Sequence, residues 1–132
     1  MFENAKNYKK QGDIGMCYAM AYYSKLGWTI SVPITDSQDY DFIVDTEDEL
    51  LKVQVKTTSC YSEYGIPMAS LKTTGGNQTC YTSKSFDTSK IDLLFVLTDK
   101  GTCYSIPTSE IVAKTQISLG TKYQDYIVNM GV

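Results

Sequence analysis

Asp39-Tyr40-Asp41-Phe42-Ile43-Val44-Asp45, followed after one charged turn by Leu51-Lys52-Val53-Gln54-Val55-Lys56-Thr57-Thr58, reads as a β-hairpin with one apolar and one polar face. If Thr46 to Glu49 close the loop and Asp45 pairs with Leu50, then Phe42 lies opposite Val53, Val44 opposite Leu51, and Asp41 opposite Gln54. Strand side chains alternate faces, so Gln54 and Lys56 share a side. Asp41 joins them there, at roughly 5 Å between the Cβ atoms of the cross-strand pair. A carboxylate, an amide oxygen and an ammonium converge.

Such a trio suits phosphodiester hydrolysis. Asp41 and Gln54 offer the oxygen ligands that Mg²⁺ prefers, and Lys56 places a cation beside the charge that develops on phosphorus. The same residues also admit a structural reading, in which Asp41 caps an exposed strand while Gln54 and Lys56 decorate a solvated sheet face. The spacing D-x(12)-Q-x-K does not by itself separate the two.

Composition narrows the chemistry. The chain has 132 residues and no histidine, which removes Ser-His-Asp and Cys-His nucleophiles, HNH-type sites and histidine-bearing zinc sites. Cys17, Cys60, Cys80 and Cys103 are scattered, with no C-x-x-C pair, and are expected to be reduced thiols. There is no Walker loop and no G-x-G-x-x-G, so no nucleotide cofactor is expected. The length suits one domain over residues 1–132. The polar, lysine-rich start and the lack of a long apolar run point to a soluble, cytoplasmic protein without a membrane span.

Net charge is −3, which argues mildly against a polyanionic partner, but the distribution is uneven. Seven acids crowd between Asp36 and Glu49, leaving the rest of the chain positive by four. Lys9, Lys10, Lys72 and Lys84, with Lys6, Lys52, Lys56 and Lys90, either line one groove or form ordinary solubilising surface. All twelve basic residues are lysine. Arginine makes most bidentate contacts to guanine, so sequence readout here would rest on Lys, Asn, Gln, Ser and Thr, or on DNA shape.

The periodicity predicts a helix over about residues 5–26, closed by Gly27 in a left-handed cap. Strands are expected near 28–33, 38–45 and 50–58, with a buried central strand over 91–98 that turns at Asp99-Lys100-Gly101 into 103–106. Ile66–Thr73 and Thr79–Thr82 form an expected hairpin about Gly75-Gly76-Asn77, and its Asn77, Gln78 and flanking Lys72 and Lys84 are candidate DNA contacts because a β-ribbon fits a major groove. A short helix is expected from Pro107 to about Lys114, with Thr108 or Ser109 available as its cap, then an edge strand from Ile117. Tyr18, Tyr22 and Tyr23 read as the core face of the first helix, whereas Tyr61, Tyr64 and Tyr81 are better placed to touch a substrate.

Tyr-Asp-Phe-Ile-Val at 40–44 and Val-Gln-Val-Lys-Thr at 53–57 resemble the PD-(D/E)XK nucleases, and in particular the small group I intron homing endonucleases in which glutamine replaces the last acid. Lys10-Gln11-Gly12-Asp13-Ile14-Gly15 resembles the opening of that branch's first helix, and the similarity runs over roughly residues 8–128. The resemblance implies an α/β (α+β) restriction-endonuclease-like core, with an N-terminal helix, a mixed β-sheet, a flanking short helix and an inserted hairpin. It implies a metal-dependent DNA endonuclease with Asp41, Gln54 and Lys56 as catalytic residues. Asp41, Gln54 and the Val55 backbone carbonyl would hold Mg²⁺, with Mn²⁺ able to substitute. Double-stranded DNA is the implied substrate, and cutting both strands asks for a homodimer or homotetramer.

One position departs from the family pattern. Where the family normally places a glutamate on the first helix, this chain has Met16, and a thioether does not replace a carboxylate on a hard cation. Asp13, three residues earlier, is the alternative oxygen donor. Met16 also admits a nuclease-fold protein that has lost cleavage and acts by binding DNA or a protein. A Holliday junction resolvase is a further alternative, although resolvases of this core usually keep the helix glutamate and an acid at the position of Gln54.

Overall fold

The computed structural model describes residues 1–75 and 82–131, and for residues 73–75 and 82–84 it describes the backbone. Helix α1 (Tyr8–Lys25) opens at Asn7, whose side chain accepts from the Lys10 backbone N–H, and ends before Gly27 at φ +86°. Its buried residues are Gly15, Ala19 and Tyr23, one per turn, so a single narrow stripe packs inward.

Strands β1 (Thr29–Ser31), β2 (Phe42–Asp45) and β3 (Leu50–Thr58) follow. After them come β4 (Cys60–Tyr61), β5 (Pro67–Ser70), β6 (Thr73–Gly75), β7 (Thr82–Lys84), β8 (Leu93–Thr98), β9 (Cys103–Pro107), β10 (Gln116–Ser118) and β11 (Ile127–Val128). The main sheet has the order β1-β2-β3-β8-β9-β11, with β3 and β8 parallel and the other neighbours antiparallel. The expected register holds from Phe42 to Asp45, where Asp45 pairs with Leu50, Val44 with Leu51 and Phe42 with Val53; the ladder stops there, so the expected pair of Asp41 with Gln54 is not part of it. Gly101 takes φ +84° in the β8–β9 turn.

Each face of this sheet carries its own core. On one side α1 packs Ala19 and Tyr23 onto Phe42, Val44, Val53, Phe95 and Leu97. Tyr23 is fully buried, stacks on Trp28 and bonds Ser105 Oγ through its hydroxyl at 2.8 Å. On the other side Leu94, Val96 and Ile106 meet Ala69, Leu71, Ile117 and Leu119 from a small sheet of order β10-β5-β4. Strand β8, covered on both faces, is the buried central strand that its apolar run predicts.

Several expectations need correction. The strand expected over 38–45 begins only at Phe42. Thr73–Gly75 pairs with Thr82–Lys84, so Gly75 belongs to the ladder rather than to the turn, and Ile66–Thr73 is not one strand, since β5 joins the small sheet. Asn77, Gln78 and Tyr81 lie outside the described residues. The helix expected from Pro107 is a three-residue 3₁₀ turn, Thr108–Glu110. Thr108 does not cap it; its hydroxyl donates instead to the Ile91 carbonyl, and Ile111 leaves in extended conformation. After β10, a 3₁₀ segment spans Thr121–Tyr126. Among the described residues, no helix is long and apolar enough to cross a membrane.

Candidate active site

The point where β2 stops is where the site begins. The Asp41 backbone N–H donates to the Val53 carbonyl at 2.8 Å, and one step further its carboxylate Oδ2 accepts the Val55 N–H at 2.7 Å. A side-chain oxygen thus occupies the place of the next ladder carbonyl, which ends the strand and pins the carboxylate to the edge of β3. A strand residue points its C=O to the same side as its N–H, so the Val55 carbonyl lies on Asp41's side of β3.

Gln54 and Lys56 project from the face of β3 opposite α1, since the intervening Val53 and Val55 pack with the helix-side core. Gln54 is 6% exposed, and its Oε1 is buried with no hydrogen-bond partner among the described residues. Orphaned buried oxygens of this kind call for a missing partner such as an ion. Lys56 Nζ donates to the Lys72 carbonyl at 3.2 Å, an anchor that lies sixteen residues away and that sequence spacing does not reveal.

The electrostatics are those of two half-sequestered opposite charges. Burial raises the Asp41 pKa above the ordinary carboxylate range, opposed by the Val55 N–H and by the charge of Lys56. Burial likewise lowers the Lys56 pKa below that of an ordinary lysine, opposed by Asp41. Both groups would gain from a divalent cation and a phosphate, respectively. Among the described residues no cluster of three Asp, Glu, Cys or His is assembled, so the oxygen donors are one carboxylate, one amide and a backbone carbonyl.

Asp13 does not enter this arrangement. It stands exposed on α1 and lines a separate depression with Lys10, Cys17 and Tyr18. Met16 is partly buried against the helix-side core. The helix residues that do face the Lys56 cleft are Tyr8, Gln11 and Gly12, and Gln11 Nε2 donates to Thr57 Oγ1 at 2.9 Å. None of these is among the site residues expected from the sequence, although their i, i+3, i+4 spacing, continued by Gly15, marks one face of the helix. Lys9, Lys10 and Lys72 are exposed. Tyr61 is held by Asp99, whereas Tyr64 is exposed. The acidic turn sits at the far end of β3: from Leu50 to Lys56 is about 20 Å of strand, more than twice the Debye length of about 8 Å at physiological ionic strength.

The sequence profile of PD-(D/E)XK endonucleases matches residues 6–127. This chain belongs to that family. The solved structure of a bacterial homing endonuclease, I-Ssp6803I, is similar to it at a TM-score of 0.69 and 26% identity, over 84% of this chain and 76% of that one. No curated protein sequence gives a significant match. PD-(D/E)XK nucleases normally use divalent metal ions. The residues of this family member fit such an ion: a buried Gln54 oxygen without a partner among the described residues, and an Asp41 carboxylate that burial has left poorly solvated.

Proposed function

We propose that this PD-(D/E)XK family member is a metal-dependent DNA endonuclease of the homing-endonuclease kind, and that Asp41, Gln54 and Lys56 carry its chemistry. The observation that supports this most is the orphaned Gln54 Oε1 on the polar face of β3 that also carries Lys56. Asp41, Gln54 and the Val55 carbonyl would hold Mg²⁺, with Mn²⁺ able to substitute. When bound, the ion supplies Lewis-acid stabilisation of the phosphoryl oxygens and a lowered pKa for water.

The protein's own residues do the rest. Asp41, tied through Oδ2 to the Val55 N–H, is oriented rather than free to rotate. Lys56 in its protonated form offers charge to the phosphate oxygens as negative charge accumulates there. With a single carboxylate, metal affinity without DNA is low, and the substrate phosphate supplies part of the coordination. Lys9, Lys10, Lys72, Lys84, Asn77 and Gln78 are proposed DNA contacts. A homodimer or homotetramer brings two sites to the two strands.

Met16 favours a second reading, a nuclease-fold protein that binds DNA or a protein without cutting. Supercoiled-plasmid nicking in Mg²⁺ and in Mn²⁺, wild type beside Lys56→Ala, decides between them. Metal-dependent nicking lost in Lys56→Ala supports the enzyme; no nicking by wild type in either metal supports the binder.

A further inference from the structure

Because β2 ends at Phe42, β3 has no strand partner on that side beyond Val53 among the described residues. Backbone groups of alternate β3 residues point to alternate sides. The Lys52 and Thr58 carbonyls accept from Asp92 and Asp99 on the β8 side, whereas Val53 and Val55 bond Asp41. Thr57 follows the odd positions, so its N–H and C=O face the open edge. This edge is not bare surface. It forms the floor of a cleft of about 400 Å³, walled by Gln11 and Gly12 of α1 on one side and by Met68 and Ser70 of β5 on the other, with Lys56 in its lining.

Two features say what the cleft suits. Among the described residues its lining includes Lys56, amides and hydroxyls and not one carboxylate, in a chain with more acids than bases. Gly12 is the second. A Cβ there would meet nothing within 4 Å, so packing does not demand a glycine, although glycine inside a helix costs about 1 kcal/mol relative to alanine. A ligand backbone that approaches the helix closely is a reason to leave that wall open.

We infer that this cleft holds the phosphodiester backbone of the DNA strand next to the bond being cut, with Gln11 and the Thr57 N–H as its donors and Gly12 giving it room. The inference rests on the endonuclease reading above. Gln11 is a positioning residue, fixed by its bond to Thr57 rather than acting at the reacting atoms.

The test is binding of a short labelled DNA duplex, followed by fluorescence anisotropy in metal-free buffer, with thermal stability measured in parallel. Gln11→Glu puts a carboxylate against the phosphates and is expected to weaken binding roughly tenfold. The same change places an acid in the first turns of α1, where the helix dipole favours it, so stability should hold or rise. Gly12→Leu fills the cleft without adding charge; it should also stabilise the helix and weaken binding several-fold. A structural role alone would move stability and affinity together, not in opposite directions. Wild-type binding with both variants equal to it would overturn the cleft assignment while leaving the endonuclease reading intact. Failure of wild type to bind any duplex, both without metal and with Ca²⁺ added, would overturn that reading, and this inference with it.

Discussion

Asp41 Oδ2 accepts the Val55 backbone N–H at 2.7 Å, so one carboxylate both ends a β-ladder and stands at the candidate metal site. The two duties separate by mutation. Asp41→Asn keeps an oxygen for Val55 but loses the charge; Asp41→Ala loses both. Because the folded-state pKa of Asp41 is raised, its stability contribution is complete below the unfolded pKa and is lost as pH rises through the folded one. Ionised Asp41 therefore costs stability at neutral pH. The Asn variant should melt no lower than wild type yet cut at least about 10²-fold more slowly. The Ala variant should lose about 1–3 kcal/mol in urea unfolding, the cost of an orphaned N–H. Equal destabilisation of both would show that the charge, not the hydrogen bond, holds the strand end.

With metal and DNA both limiting, the pH profile of kcat/KM, which reports the free protein, should be a bell narrower than ordinary Asp and Lys values give. If Lys56 acts through its charge, as proposed, activity needs Asp41 ionised and Lys56 protonated. Burial raises the first pKa, so the acid limb lies above the usual carboxylate range; burial lowers the second, so the alkaline limb falls below the usual lysine range. Lys56→Arg, whose guanidinium stays charged, should lose the alkaline fall in whatever activity it keeps. A wild-type rate that climbs through the alkaline side would instead make Lys56 a proton acceptor.

Gln54 links stability to metal. Its Oε1, without a partner among the described residues, is a cost in the metal-free protein, on the order of 1–3 kcal/mol. Gln54→Leu should stabilise metal-free protein by about 1 kcal/mol and erase any Mg²⁺-induced rise in melting temperature. Gln54→Glu should do the reverse: lower stability without metal, and about tenfold tighter Mg²⁺ binding, because a carboxylate replaces a neutral amide. For wild type, a metal concentration a hundredfold above Kd adds about 2.7 kcal/mol, which EDTA should remove completely. A Gln54→Leu variant that still responds to Mg²⁺ as wild type does would place the ion elsewhere.

What the sequence revealed and what it hid follow one physical line. The β2–β3 register was legible because Phe42 with Val53 and Val44 with Leu51 share an apolar face, and a slip of one residue would turn that face to water. The cap at Gly27 and the turn at Gly101 were legible because left-handed backbone leaves few choices. Contacts made by side chains across long stretches of chain were not. Gln11 meets Thr57 across 46 residues, and Lys56 meets the Lys72 carbonyl through a fold that spacing does not encode. Asp41 was read as part of a strand, and its own side chain is what ends it. Thr108 looked like a helix cap, but the Ile91 carbonyl claims its hydroxyl. Three-residue strands such as β10 carry too little pattern to show which sheet they join.

Gly15 sets how closely α1 approaches β3. A Cβ at this position would lie 2.5 Å from Thr57 Cγ2 and 3.2 Å from Val55 Cγ1. Thr57 is β-branched and stiff at χ1, and its hydroxyl accepts from Gln11, so it cannot turn aside without losing that bond. Alanine for glycine inside a helix ordinarily stabilises by up to about 1 kcal/mol. Here Gly15→Ala should destabilise by about 1–3 kcal/mol, because α1 must lift from β3, and cleavage should fall as Val55 and Lys56 shift with the strand. Thr57→Ser removes Cγ2, the closest obstacle, and keeps the hydroxyl. In that background Gly15→Ala should become neutral or stabilising, giving a coupling energy of about 1–3 kcal/mol in a double-mutant cycle followed by urea unfolding. Additive effects would mean that the helix yields elsewhere, and that Thr57 does not set its distance from the sheet.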